Sequence, residues 1–157
     1  MTFQSPTPNP ASIRAQGVEK LGPLVANGVV LYLAAQDAHW NVKGPNFGPL
    51  HLLFGEVYST TQGIVDRLAE RVVTLGGAPS GLSVVGSRPA LEGAPAQDGP
   101  TLCASLLGML TAYVADADEA YRAVEGLRLT ADANALQDAV ETLEKLGWQL
   151  AAHLAGS

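Results

Sequence analysis

Apolar residues recur every three or four positions along four long stretches of this chain, and glycine and proline cluster where each stretch stops. The first secure run carries Leu24, Val25, Val29, Leu31, Tyr32 and Leu33 up to His39-Trp40, and Gly44-Pro45 predicts its end near Lys43. A weaker pattern opens upstream near Pro10-Ala11 but meets Gly22-Pro23, and proline costs roughly 3 kcal/mol inside a helix. Either a short helix precedes a long one, or one kinked helix runs through. Asn46 is a good N-cap for a second helix over 47–75, with Leu50, Leu53, Phe54, Val57, Ile64, Val65, Leu68 and Val72 at helical spacing. Gly76-Gly77-Ala78-Pro79 stops it. Further helices are predicted over 100–127 (Leu102, Leu106, Leu110, Tyr113, Val124) and 131–155 (Leu136, Val140, Leu143, Leu146, Leu150). Residues 1–10, with three prolines among Ser, Thr and Asn, predict a flexible tail.

Four helices joined by two short links and one long crossover over 78–100 describe an all-α, ferritin-like four-helix bundle occupying residues 11–157. Within the crossover, Leu82-Ser83-Val84-Val85 has room for a turn or two of helix. A connection this long is expected to cover something or line a contact. Composition agrees: 47% of residues are hydrophobic but only 6% aromatic, which favours helices over a sheet.

Charge narrows the function classes. The net charge is −6, and the nine Lys and Arg are scattered, so no basic run offers a phosphate-binding arm. The single cysteine, Cys103, excludes a disulfide within the chain and a cysteine-built metal site, and its apolar neighbours predict a buried small residue. The N-terminus MTFQSPTPNPAS lacks the pattern of a signal peptide, and no apolar run approaches the length needed to span a bilayer. These features are read as those of a soluble cytoplasmic protein with no membrane partner.

Candidate chemistry concentrates in residues 39–70. His39 and His51 flank the break at Lys43-Gly44-Pro45-Asn46, and Asp66 and Glu70 follow at i, i+4. Two imidazoles and two carboxylates suit a redox-active first-row metal such as iron. In an antiparallel hairpin the two histidines sit at one level. Asp66, however, lies fifteen residues beyond His51 on the same helix, about 22 Å away. One chain cannot close such a site. Yet Asp66 points within roughly 60° of His51, and Glu70 about 40° further round, so a two-fold partner laid antiparallel would bring its acids over these histidines. Ser59, Thr60, Thr61 and Gly63 are small enough to let paired helices approach. The plainer alternative is a helix-end histidine, a surface histidine, and an ordinary solvated face in which Asp66 and Glu70 pair with Arg67 and Arg71.

HWNVKGPNF, then LH, then DRLAERVVTLGG resembles the sequence pattern of the Dps family (DNA-binding proteins from starved cells), the twelve-subunit mini-ferritins, and LEKLGWQLAAHL resembles its closing helix. The resemblance covers residues 24–155. It implies a hollow homododecameric cage built from two-fold dimers, in which His39 and His51 ligate iron with Asp66 and Glu70 supplied across the dimer. Glu70 would be the strongest ligand. The implied activity is ferroxidase: Fe(II) is oxidised, preferably by hydrogen peroxide, and Fe(III) is stored, with zinc as a surrogate at the same site. Trp40 would lie near the centre and quench stray oxidising equivalents, or simply pack at the dimer contact.

One departure stands out. Four residues after the second histidine the family usually has an acid, and here the position is Gly55. The neighbouring Glu56 lies about 140° round the helix from His51 and should not substitute. Loss of that carboxylate weakens the second iron site in this reading. His153 is expected to be structural or at the surface, and Asp132, Asp138 and Glu141 either line acidic pores or merely solvate a helix start. Two other functions stay open: a DNA-coating nucleoid protein, poorly served by Arg14 and Lys20, and a cage with a decayed centre acting as a metal buffer.

Overall fold

The computed structural model describes residues 4–80 and 98–155. Within them the chain is four helices: α1 (Ala11–Asn41), α2 (Phe47–Thr74), α3 (Gly99–Gly126) and α4 (Thr130–Leu154). No strand occurs among the described residues. α1 packs antiparallel on α2 and α3 on α4, while α1 also meets α3 and α2 meets α4, so the order round the bundle is α1, α2, α4, α3. Asp98, at the start of α3, bridges to Lys43, at the end of α1. The end of α2 and the start of α3 therefore lie at opposite ends of the bundle, about 40 Å apart at helical rise. The segment at Leu82–Val85, where a short helix was expected, lies outside the described residues.

The first helix starts earlier than Leu24. α1 is continuous from Ala11, with Pro23 inside it. Leu21 and Leu24 are both buried, whereas Pro23 faces solvent, where water can satisfy the Glu19 carbonyl that the proline leaves without a donor. Core packing on both sides outweighs the proline. The N-terminal stretch expected as a tail is folded back over its described part: the Ser5 hydroxyl donates to the Thr74 carbonyl at 2.7 Å, and Arg14 Nη1 donates to the Asn9 carbonyl at 2.7 Å.

The helix ends follow local chemistry. α2 closes in a Schellman arrangement, with Gly77 N–H donating to the Val72 carbonyl, Gly76 N–H to Val73, and Gly76 at φ +94°. Asn46 does precede α2, but its side chain makes no capping bond. At α3 the Asp98 carboxylate accepts from Thr101 N–H at 3.0 Å, with Pro100 in the first turn. The core runs the length of the bundle through Leu21, Leu31, Phe54, Leu68, Leu136, Leu143 and Leu150, and Cys103 is buried in it as expected. α1 and α3 each hold an 18-residue window (mean hydropathy 1.3 and 1.2) long and apolar enough to cross a bilayer by length and composition, contrary to the sequence reading. Each packs one face into the bundle core, with 44% and 33% of the two windows buried.

Candidate metal centre

His39 sits in the last turn of α1 and His51 in the second turn of α2, at the tight end of the hairpin. Their rings stack with centroids 3.8 Å apart and planes 21° apart. Each ring also holds the other's backbone. His39 Nδ1 lies 2.7 Å from the His51 carbonyl oxygen, and His51 Nδ1 lies 2.8 Å from that of His39. A carbonyl only accepts, so both Nδ1 atoms carry the proton and donate. In the neutral ring this leaves Nε2 of each with its lone pair available. One of these bonds has a further use: the His39 carbonyl is among the last four of α1 and has no helical donor of its own. Phe47 also stacks on His51, with ring centroids 5.1 Å apart. It stands four residues before His51, one helical turn, and that spacing was the signal by which the sequence could have shown it.

Asp66 and Glu70 are exposed further along α2, about 22 and 28 Å of helix from His51. Among the described residues, no three His, Cys, Asp or Glu side chains gather as a metal site. The arginines beside the two acids do not neutralise them. Arg67 reaches Asp138 on α4 at 2.8 Å, and Arg71 reaches Asp132 at 2.9 Å. No hydrogen bond or ion pair among the described residues engages either carboxylate of Asp66 or Glu70. Asp132 is buried in its pair with Arg71, so it cannot present a free carboxylate to a pore. Asp138 and Glu141 are exposed.

The remaining candidates separate cleanly. Trp40 is 67% exposed beside His39. Glu56 is turned to another side of α2, into a groove of about 420 Å³ with Leu52, Trp148 and the half-buried His153. Of the small residues in the middle of α2, Ser59 and Gly63 are exposed, but Thr61 is buried in the chain's own core. Helix rotation decides this, since Thr61 falls four residues after Val57 and four before Val65 on the apolar stripe. Gly55 faces the imidazole of His39.

Residues 18–156 match the family model of the ferritin-like domain. The DNA protection during starvation protein of Mycolicibacterium smegmatis is 31% identical over 129 residues, which cover 79% of this chain and 69% of that one. A solved Dps protein from Bacillus brevis is 33% identical with a TM-score of 0.80, covering 91% of this chain and 97% of that one. The chain belongs to the Dps family. Its fold is the ferritin-like four-helix bundle. The DNA protection during starvation protein of Brevibacillus brevis is 54% identical over 55 residues, 35% of this chain, and the match spans 37% of that relative's length. Local similarity to Dps relatives is thus higher over this short segment than over the bundle as a whole.

Proposed function

We propose that this chain is a subunit of a mini-ferritin that oxidises Fe(II) and stores Fe(III) in a hollow cage, protecting the cell from oxidative stress. Each centre takes His39 and His51 from one subunit and Asp66 and Glu70 from its two-fold mate, with Trp40 beside it. Fe(II) is the substrate, hydrogen peroxide the preferred oxidant, and twelve subunits form the cage. Zinc fits the same donors as a surrogate.

The observation that carries this reading is the reciprocal bonding of the two histidines. Metal-ligating histidines are held in this way, one ring nitrogen donating to a carbonyl so that the other is oriented and unprotonated. The acids supply the complement. Arg67 and Arg71 are taken by Asp138 and Asp132, which leaves Asp66 and Glu70 without a counter-charge from their own helix. The distance between the pairs requires a second subunit, and a two-fold axis supplies two equivalent centres. The Dps relatives and the ferritin-like domain support the iron chemistry. The net charge of −6 supports no DNA-coating role.

Subunit mixing tests the shared centre. One chain carries His39→Ala with His51→Ala, the other Asp66→Asn with Glu70→Gln. Each alone should fail to accelerate Fe(II) oxidation by peroxide. Dissociated and reassembled together, they should recover activity at about one quarter of the centres. Full activity in either parent, or none after confirmed mixed assembly, rejects the arrangement.

A further inference from the structure

Gly55 lies one helical turn after His51, in the interior of α2. Glycine is a poor helix former relative to alanine, so its place inside α2 is costly unless something uses the space it leaves. A Cβ built on Gly55 would stand 3.1 Å from Nδ1 and 3.2 Å from Cε1 of His39, closer than the 3.5 Å or so of comfortable contact. Leaving aside the flanking Phe54 and Glu56 and the backbone of α2, no other atom of the described residues comes within 4 Å of that position. The room a side chain would need is the room the imidazole uses.

The ring has little freedom to give way. Its Nδ1, the atom that would meet the Cβ, is the one that donates to the His51 carbonyl at 2.7 Å. The same ring stacks on His51 at 3.8 Å. Retreat from position 55 lengthens the hydrogen bond, and tilting opens the stack.

We propose that Gly55 is a positioning residue for His39: its missing side chain is the space in which the imidazole rests against α2 and is aimed by the His51 carbonyl. The half-centre contributed by one chain is then two imidazoles with no carboxylate of its own. Restoring an acid at position 55 competes with His39 for space instead of adding a ligand. This inference rests on the reading that His39 and His51 hold the metal, but its geometric part does not depend on it.

The test uses the full assembled protein with Gly55→Ala and Gly55→Asp, each also made in a His39→Ala background, and Co(II) as the probe. Gly55→Ala should fold and assemble as the parent does. Its crystal structure should show the His39 ring displaced by about a few tenths of an ångström and the bond from Nδ1 to the His51 carbonyl lengthened from 2.7 Å. Co(II) affinity, followed by visible absorption, should fall about tenfold for both variants. In the His39→Ala background neither substitution should change it further, because Gly55 acts through that ring. An unmoved His39 ring in Gly55→Ala overturns the proposal, and so does Gly55→Asp binding Co(II) as tightly as the parent or more so. If the parent itself takes up no Co(II), the metal reading has failed, and the crystal structure of Gly55→Ala alone decides the positioning role.

Discussion

Arg71 on α2 grips Asp132 in the first turn of α4 through two bonds, Nε to Oδ1 at 2.9 Å and Nη2 to Oδ2 at 3.3 Å. The pair joins two helices far apart in sequence and turns the Arg71 side of α2 toward α4. Glu70, one residue earlier, is thereby left at the surface.

The two α2–α4 ion pairs should differ sharply in worth. The Asp132 side chain is 2% exposed, so Asp132→Ala strands a largely buried guanidinium; Arg71 keeps 21% exposure, which softens the penalty to about 2 kcal/mol. Asp138→Ala removes a pair that is 50% and 62% exposed and should cost less than about 0.5 kcal/mol. Denaturant unfolding of both variants checks the contrast; equal costs would contradict it.

Arg128 links α3 to α4 with φ +58°. It occupies the left-handed position that closes α3, with Arg128 N–H on the Glu125 carbonyl and Leu129 N–H on Val124. A Cβ is strained there, and glycine is not. Arg128→Gly should therefore stabilise the chain by roughly 0.5–1 kcal/mol, read as a higher melting temperature. A fall would mean that the arginine side chain makes a larger contribution than the strain removes.

Asp98 gives a pH signature. The Thr101 backbone N–H, and then its hydroxyl, hold the Asp98 carboxyl below its ordinary value of 3.8. A group depressed in the folded state contributes stability that is present above the unfolded value and lost as pH falls through the folded one. Asp98→Ala should thus melt below the parent at neutral pH, and the gap should close as pH drops below 3.8. A gap independent of pH would assign the effect to something other than the charged cap.

Cys103 should be inert in the folded protein. Burial pushes its thiol up to about 11, and the side chain has no exposed surface. The thiolate is the reactive form, so a thiol reagent at pH 8 should label Cys103 only as fast as the bundle opens, and rapidly in denaturant. Fast labelling without denaturant would show that the α3 end of the core is loose.

Features that depend on neighbours along the chain were legible in the sequence. Apolar periodicity marked four helices, Gly76-Gly77 marked the end of α2 because only glycine enters that left-handed turn without strain, and Gly44-Pro45 marked the hairpin. The hairpin in turn set His39 and His51 at one level, and helical rise put Asp66 beyond reach within one chain. Features that depend on contacts between helices were not legible. Pro23 reads as a break until Leu21 and Leu24 are seen buried on either side of it. Arg67 and Arg71 read as partners for Asp66 and Glu70 until α4 offers Asp138 and Asp132. Gly55 reads as a missing carboxylate until the His39 ring is found in its place. In each case the deciding partner sits on another helix, and a one-dimensional pattern carries the spacing of residues along a helix but not the direction from which a neighbour arrives.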